Sequence, residues 1–483
     1  MSGPDSGGAI LAVDQGTSST KALVVAPDGS VLAVAQVAVH PKPVGDDGVE
    51  QDPAELYESV VEAGRRALAS SGVDVVTIGF ANQGETVMAW DRTTGDPLAP
   101  ALSWQDRRSA AICADLSAHA DRLLELTGLP LDPYFAGPKV RWLREHGIAD
   151  GVVTTTDTWL LHRLTGAFVT DVTTASRTAL LDLTRREWSA EACELFGVDP
   201  DLLPDVVGCT ATVGHTYAFG PSLPVTGLAV DQQAALYGEG CLRPGDSKCT
   251  YGTGAFLLAN AGPGRPRSTH GLSASVGWDD RGDIVYCLDG QLYTVGSMVD
   301  WLVGRRLLAG PADLDPVASS VPDAGGVVCV PALAGLGAPY WTPQARASFE
   351  GVSLATTDAH LVRAVVDGIA GQVALLAQAA AADLGEAIGL LRVDGGLTAS
   401  RVLMQTQADL LQAPVEVYPS PHATALGVAQ LARRGLGEPV VPVTVPGERY
   451  EPRIGADEAA ARLDRLAASI SRAIEATPSG GDR

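Results

Sequence analysis

The sequence predicts an α/β protein built from two similar lobes, and three observations support this prediction. The chain has 483 residues, a length that favours two large domains or three small ones. In the first half, apolar strands, a helix and a further buried strand follow one another, with polar residues where strands end. Each half also contains a bend rich in glycine and threonine, as expected if an internal duplication produced two lobes that face one ligand.

The first elements are strands around a polar bend. Ala9 to Val13 and Ala22 to Val25 are apolar, and Asp14 to Lys21 between them is rich in Gly, Ser and Thr. Pro27-Asp28-Gly29 predicts a turn into a third strand from Val31 to Val39. These segments together predict an antiparallel meander.

A helix is predicted next because its N-terminal signals agree. Asp52 suits the N-cap, Pro53 suits the first helical position, and Glu55 completes the spacing of a capping box. A buried strand from Val75 to Phe80 follows the helix. Leu56, Val60, Ala63 and Ala67 recur at helical spacing, and they form the face of this helix that is expected to be buried.

The second half repeats this theme with its own bend, Thr250-Tyr251-Gly252-Thr253-Gly254, between strand-like flanks from Lys248 to Asn260. We place the hinge between the two halves near Gly238 to Gly245. The remaining predicted elements are a helix from about Asp358 to Ala382, a strand from Leu390 to Val393 and a helix from about Ser400 to Leu411.

Composition limits the classes of partner and the location. The formal net charge of -23 disfavours nucleic acids and anionic membranes, because a negative field repels both. The seven cysteines show no C-x-x-C pair and are expected to be reduced core thiols. The N-terminus lacks a basic segment followed by an apolar one, and we expect neither a signal peptide nor a membrane span. These features predict a cytoplasmic protein.

Seven short motifs occur in one order along the chain. They are Asp14-Gln15-Gly16-Thr17, Trp104-Gln105-Asp106-Arg107-Arg108, Asp132-Pro133-Tyr134-Phe135, Asp231-Gln232-Gln233, Tyr251-Gly252-Thr253-Gly254, Ala338-Pro339-Tyr340-Trp341 and Asp394-Gly395-Gly396. In this order they resemble the FGGY carbohydrate kinases, most closely the glycerol kinase branch of that family, from Ile10 to about Leu436. Tyr134 to His146 and Ala347 to Asp367 resemble the two stretches by which the family is recognised.

The resemblance implies an actin/hexokinase-like (ribonuclease H-like) ATPase fold with a nucleotide cleft between two lobes. Residues 8–240 would form the N-terminal lobe, with the acceptor substrate and the first phosphate loop. Residues 241–472 would form the C-terminal lobe, with the second phosphate loop and the adenosine site. ATP and Mg²⁺ are the implied cofactors, the expected partner is a small sugar or polyol, and a homodimer and a homotetramer both remain open.

The two bends are the candidate phosphate-binding loops. Phosphoryl transfer needs positioning and charge neutralisation, and small residues let backbone amides approach phosphate oxygens. A plain β-turn explains the same composition, and local pattern alone does not decide between the two. With the resemblance, Asp14 is the aspartate on the Mg²⁺ side, reached through water. The phosphate-binding candidates are Thr17, Ser18, Ser19 and Lys21 in the first loop and Gly252, Thr253 and Gly254 in the second.

The adenosine site is predicted from the junction of a short strand and a helix. Gly395 and Gly396 would let a flat adenine lie against the backbone, although a simple strand-to-helix turn has the same pattern. By resemblance to glycerol kinase, the positions that contact adenosine are Gly296, Asp300, Gly396 and Ser400. Asp300 and Ser400 stand where that branch has amide side chains.

Asp231 is the candidate general base. It follows the apolar run Val225 to Val230, and a carboxylate at the end of a buried strand can accept the proton of an acceptor hydroxyl. An aspartate in this position is also suited to cap a helix, and both roles can hold together. Gln232, the next residue, is a candidate for contact with a substrate hydroxyl.

The acceptor pocket departs from glycerol kinase at one position. Where that branch reads Asn-Gln-Arg-Glu-Thr, this chain has Gly84 in place of the arginine, and a charged group with several donors is lost. We therefore expect a four- or five-carbon polyol or ketose as acceptor, with glycerol kinase proper as the alternative. A second alternative is a non-catalytic nucleotide or sugar sensor of the same fold. The residues expected to bind the acceptor are Gly84, Glu85, Trp104, Tyr134, Asp231, Gln232 and Phe256.

Overall fold

A computed structural model describes residues 7–441 and 446–476 of the chain. Its elements form two large mixed sheets, one in each half of the sequence, with helices packed against them. Most of the N-terminal segment on which the expectation of no signal peptide rests, Met1 to Ser6, lies outside the described residues.

The first half contains a six-stranded sheet in the order β14-β15-β6-β1-β2-β3. Its strands, with those of the smaller sheets, are β1 Ala9–Gln15, β2 Ser19–Val25, β3 Val31–Ala38, β4 Lys42–Val44, β5 Gly48–Gln51, β6 Val75–Asn82, β7 Val87–Trp90, β8 Ala101–Leu102, β9 Val152–Thr155, β10 Val169–Asp171, β11 Leu181–Asp182, β12 Glu187–Trp188, β13 Asp205–Val207, β14 His215–Thr216 and β15 Leu223–Val230. Its helices are α1 Pro53–Ser71, α2 Ala110–Asp115, α3 Ala120–Thr127, α4 Ala136–Glu145, α5 Thr156–Thr165, α6 Val172–Ala175, α7 Ala190–Phe196 and α8 Asp231–Gly238.

The second half contains a seven-stranded sheet in the order β18-β19-β17-β16-β22-β23-β24. Its strands, with the pair β20 and β21, are β16 Ser247–Tyr251, β17 Ala255–Gly262, β18 Ser273–Asp280, β19 Asp283–Leu292, β20 Val328–Val330, β21 Ser348–Glu350, β22 Leu391–Asp394, β23 Val415–Val417 and β24 Arg449–Tyr450. Its helices are α9 Gly296–Gly304, α10 Leu314–Ala318, α11 Asp358–Leu384, α12 Arg401–Leu411, α13 Ala423–Gly435 and α14 Ala456–Glu475.

The sheet register explains why functional candidates meet at one edge. β1 and β15 both run parallel to β6, and Gln15 and Val230 both pair with Asn82. The carboxyl ends of these three strands therefore lie side by side. In the second sheet, β16 runs parallel to β22, and Thr250 pairs with Asp394.

The N-terminus of α1 confirms the predicted cap and corrects one detail. The Asp52 side chain accepts a hydrogen bond from the backbone N–H of Ala54 at 2.9 Å. Glu55 does not close a capping box, because its carboxylate accepts instead from the backbone and ring of His40. The predicted stripe of the helix, Leu56, Val60, Ala63 and Ala67, is fully buried.

Helix α13 belongs to the second half of the chain but packs on the sheet of the first. Glycines on two neighbouring strands make this possible, since a Cβ on Gly79 would lie 2.5 Å from the Val428 carbonyl oxygen, and one on Gly227 would lie 2.5 Å from the Ala432 nitrogen. The two halves are thus joined by backbone-to-backbone packing, and a larger residue at either glycine would push α13 away.

Helix α11, Asp358–Leu384, is long and apolar enough to span a bilayer, and it is the one such helix in the described residues. In the fold, 78% of its most apolar 18-residue window is buried inside the protein. It is therefore the core helix of the second half, which explains its composition. All seven cysteines are free thiols, as predicted, and Cys113 is half-buried rather than in the core.

Candidate functional site

A cleft between the two large sheets contains two adjoining cavities. The first has a volume of about 400 Å³ and is bordered by Asp231, the tip of the first bend and the second bend. The second has a volume of about 550 Å³ and is bordered by Asp14, Lys21 and Gly395. Thr250 borders both cavities, so they lie next to each other.

The first bend connects β1 to β2 and serves both cavities. Asp14 and Lys21 are paired across the hairpin and face the larger cavity, while Thr17 and Ser18 face the smaller one. The hairpin is closed by the hydrogen bond from the Gly16 N–H to the Ser19 carbonyl at 3.1 Å. Backbone amides and hydroxyls of this bend are therefore available to oxygen atoms of a ligand.

The second bend connects β16 to β17 and is packed so tightly that glycine is required around it. The Gly252 N–H donates to the Gly254 carbonyl at 2.8 Å. A Cβ on Gly254 would lie 2.4 Å from the Leu292 carbonyl oxygen, and one on Gly296 would lie 2.7 Å from the Gly252 carbonyl oxygen. Gly395, at φ 97°, similarly rests on the Tyr251 backbone.

Asp231 is the first residue of α8 and lies directly beyond the buried strand β15. Its Oδ1 accepts a hydrogen bond from the Gln232 N–H at 2.7 Å. The N-cap residue of α8 is Val230, so the predicted capping role of Asp231 is wrong. Burial, together with the carboxylates of Asp14 and Glu85, raises the pKa of Asp231 to about 7, and Lys248 opposes this shift. A carboxyl with such a pKa accepts a proton efficiently near neutral pH.

Aromatic side chains form one wall of the smaller cavity. The Trp104 ring packs edge-on against Tyr134 and Phe256, with centroids 5.9 and 5.8 Å apart. The Trp104 Nε1–H donates to the Thr17 hydroxyl at 2.8 Å, so this wall is fixed to the first bend. Aromatic faces beside carboxylates suit a ligand that presents both C–H edges and hydroxyl groups.

The remaining predicted residues of the acceptor pocket also lie here. Glu85 adopts a left-handed backbone with φ 54° and lines the cavity. Gly84 lines the cavity as well, and a Cβ on it would lie 2.9 Å from Cγ2 of Val230. Gln232 lines the cavity too, with its Oε1 2.5 Å from Nζ of the buried Lys248.

Three predicted ATP-binding side chains lie outside both cavities. Asp300 is exposed on α9, and Ser19 accepts a hydrogen bond from Gln36 at 2.9 Å. Ser400 is the N-cap of α12, where it accepts from the Leu403 N–H and donates to Asp315. Gly296 also lies outside them, but it supports the second bend through its N–H, which donates to the Gly252 carbonyl at 3.0 Å.

Sequence reasoning missed Lys139, although the residue lies in a recognised stretch. It is fully buried, and its Nζ donates to the backbone carbonyls of Glu85, Tyr134 and Phe135. Burial lowers the pKa of Lys139 to about 8. The available signal was a lysine with small or apolar residues on both sides, from Ala136 to Val140.

Arg177 and Asp289 were missed as well. Both are buried, both line the smaller cavity, and they form an ion pair. They lie 112 residues apart, so no local pattern connects them. The one signal was the isolated charge of Arg177 among hydroxyl and apolar residues from Val172 to Leu181.

The donor groups of the larger cavity fit a magnesium ion that takes most of its ligands from phosphate and water. Burial raises the pKa of Asp14 to about 6, with Lys21 opposing the shift and Asp394 adding to it. Oδ1 of Asp394 is buried without a hydrogen-bond partner. Among the described residues, no three His, Cys, Asp or Glu side chains form a metal cluster. Two carboxylates without a full protein cage are the usual protein share of a Mg²⁺–nucleotide site.

A buried carboxylate at a strand end, two glycine-containing bends and an aromatic pocket border one cleft, and this arrangement fits a phosphotransferase with an alcohol group as acceptor. The chain belongs to the FGGY family of carbohydrate kinases, because models of the N-terminal and C-terminal domains of that family match residues 9–238 and 247–436. This confirms the predicted family, the two-lobed fold and the enzyme class.

Individual relatives agree with the family. The chain is 40% identical to a glycerol kinase of Aromatoleum aromaticum, with 96% of this chain and 98% of that protein covered. It is 37% identical to glycerol kinase 2 of Thermotoga maritima, with the same coverage. Among solved structures, Plasmodium falciparum glycerol kinase with ADP superposes with a TM-score of 0.87 at 30% identity, covering 96% of this chain and 98% of that one. A xylulose kinase from Rhodospirillum rubrum gives a TM-score of 0.85 at 26% identity, with 96% and 98% covered.

Proposed function

We propose that the chain transfers the γ-phosphoryl group of ATP to a hydroxyl group of a small polyol, and that glycerol is its acceptor. The observation that carries this proposal is the position of Asp231, which borders the same cavity as both bends and the aromatic wall. The relatives named glycerol kinase support the choice of glycerol. Glycerol is therefore the first candidate acceptor here, whereas Gly84 alone had favoured a four- or five-carbon polyol or ketose.

In the proposed mechanism, the acceptor lies in the smaller cavity with one hydroxyl directed at Asp231. The carboxylate of Asp231 accepts the hydroxyl proton while the oxygen attacks the γ-phosphorus, and the bond between that phosphorus and the β,γ-bridging oxygen breaks so that ADP leaves. Amides of the two bends and Lys21 bind the phosphate oxygens and offset their growing charge. Asp14 would hold Mg²⁺ through water, and the metal would supply further charge neutralisation.

We assign the acceptor and the first phosphate loop to a lobe of residues 8–240, and the second loop and the adenosine site to a lobe of residues 241–472. Both sides of the cleft are needed for the reaction, so closure of the lobes would also exclude water from the γ-phosphate. We also propose a cytoplasmic location and no nucleic-acid or membrane partner. The proposed assembly is a homodimer or a homotetramer.

A four- or five-carbon polyol or ketose is the second candidate acceptor. It is favoured by Gly84 and by a cavity of about 400 Å³, which leaves room beyond a three-carbon chain. The sensor hypothesis is disfavoured, because a binding module has no need for a buried carboxylate whose pKa is raised to about 7.

The test is an ATP-consumption assay over glycerol, erythritol, xylitol, xylulose and ribulose. We expect the highest kcat/KM with glycerol. A preference of tenfold or more for a longer acceptor would establish the second candidate instead. Asp231→Asn should lose about 10²- to 10⁴-fold in kcat and still bind ATP. Binding of ATP without turnover of any of the five acceptors would leave the sensor hypothesis.

A further inference from the structure

Arg177 connects carboxylates of the two halves of the chain inside the acceptor cavity. Its Nε donates to Oε1 of Glu85 at 2.6 Å, and its Nη1 donates to Asp289. Glu85 follows β6 of the first sheet, whereas Asp289 lies on β19 of the second. The guanidinium group is therefore an ionic link across the cleft.

The guanidinium group is held on several sides. Its central carbon lies 5.8 Å from the ring centroid of Tyr134 and 5.3 Å from that of Phe135, both within the range of cation–π contact. Only 5% of the Arg177 surface is exposed, and the residue lines the cavity. A side chain fixed in this way loses little entropy when a ligand binds to it.

One end of this guanidinium group remains available. Nε and Nη1 are engaged by the two carboxylates, and Nη2 makes no hydrogen bond with the described residues. An arginine carries five N–H donors, and leaving them unused in a buried site costs free energy unless a ligand or water accepts from them. The cavity bordered by Arg177 is where such an acceptor atom can lie.

The position that lacks a side chain lies beside the same cavity. Gly84 is one residue from Glu85, and the branch that this chain resembles has an arginine there. The cavity thus has no guanidinium group at position 84, after β6, but has the guanidinium group of Arg177, after α6. Both positions border the space in which the acceptor would be bound.

We propose that Arg177 determines acceptor specificity: its Nη2 donates to an acceptor hydroxyl other than the one that reacts at Asp231, while Glu85 and Asp289 hold the guanidinium group in place. This inference rests on the proposed function, because it concerns the polyol of that reaction. It also narrows the substrate class to alcohols with at least one further hydroxyl that Arg177 can reach.

The test combines Arg177→Lys with acceptors that lack one hydroxyl. Lysine keeps the charge between the two carboxylates but cannot donate in three directions from a planar group. We expect KM for glycerol to rise about 10- to 100-fold, as for the loss of a hydrogen bond to a charged group, while KM for ATP is unchanged. For whichever of propane-1,2-diol and propane-1,3-diol lacks the contacted hydroxyl, variant and wild-type enzyme should have equal KM. An equal rise for glycerol and both diols would show a merely structural role and overturn the proposal.

Two further variants keep the test decisive. Gly84→Arg introduced into Arg177→Lys should lower KM for glycerol again, since it returns a guanidinium group to the cavity. Asp289→Asn retains the Arg177–Glu85 pair and is the variant to use if Arg177→Lys does not fold. It should likewise raise KM for glycerol and leave KM unchanged for the diol that lacks the contacted hydroxyl. If the wild-type enzyme phosphorylates none of the polyols, the proposed function and this inference are both refuted. If Arg177→Lys and Asp289→Asn both turn over glycerol with an unchanged KM, this inference alone is refuted.

Discussion

The ammonium group of Lys139 lies 3.3 Å from the backbone carbonyl oxygen of Glu85, a residue held at φ 54°. The same ammonium group also donates to the carbonyls of Tyr134 and Phe135. A left-handed backbone at a non-glycine residue is costly and persists only where its surroundings fix it. Lys139 therefore holds the backbone at Glu85 and the backbone at Tyr134 and Phe135 in place. It does not itself line the acceptor cavity.

Lys139→Met should destabilise the protein and distort the acceptor pocket. Three buried carbonyls lose their charged donor, and we expect the free energy of unfolding to fall by about 3 kcal/mol or more. Denaturant unfolding measures this loss, and KM for the acceptor should rise in the folded variant. Lys42→Met, on an exposed strand, is the matched control. Equal unfolding curves for the two variants would contradict this account.

The pH dependence of the reaction should follow Asp231. Its pKa is raised to about 7, first by burial and then by Asp14 and Glu85. The protonated carboxyl cannot accept the acceptor's proton, so kcat/KM should fall about tenfold per pH unit below 7. A plateau that extends down to pH 5 would exclude Asp231 as the base in its free-enzyme state.

The same pKa shift predicts that Asp231 weakens the unliganded protein. Its pKa is higher in the folded protein than the ordinary 3.8, so the folded state binds the proton more tightly and its stability falls as pH rises from 3.8 to about 7. Asp231→Asn removes this loss. At pH 8 the variant should have a higher free energy of unfolding than wild type, and near pH 4 the two should be similar. Asp74→Asn at an exposed site should show no such difference, and a variant less stable than wild type at pH 8 would contradict the argument.

The glycine at the start of α9 is predicted to matter more for ATP than for the acceptor. A Cβ on Gly296 would lie 2.7 Å from the Gly252 carbonyl oxygen, so Gly296→Ala should displace the second bend. KM for ATP should rise about tenfold and by more than KM for the acceptor, whose cavity the same bend borders. Gly304→Ala in the same helix has no atom within 4 Å of the added carbon and serves as control. A change in the acceptor KM alone would argue against this placement of the phosphates.

The sequence predicts those parts of the fold and site that are encoded locally. Asp52 and Pro53 mark the start of α1, because cap chemistry depends on neighbours a few residues away. The two bends were recognisable from small residues between apolar strands. The pair of Arg177 and Asp289 could not be found in this way, since it exists only after the two sheets have met. Sequence also could not tell whether Ser400 faces the nucleotide or its own helix.

Ser400 provides the last prediction, because the structure gives it a role that the resemblance does not imply. Its hydroxyl accepts from the Leu403 N–H at 3.2 Å and donates to Asp315, whose carboxylate also accepts from the Arg401 N–H at 2.7 Å. Ser400→Ala should therefore lower the free energy of unfolding by about 1 kcal/mol through the lost cap. KM for ATP should not change, and Asp300→Ala, at an exposed position, should alter neither quantity. A severalfold rise in KM for ATP with unchanged stability would contradict this account and return Ser400 to the adenosine site.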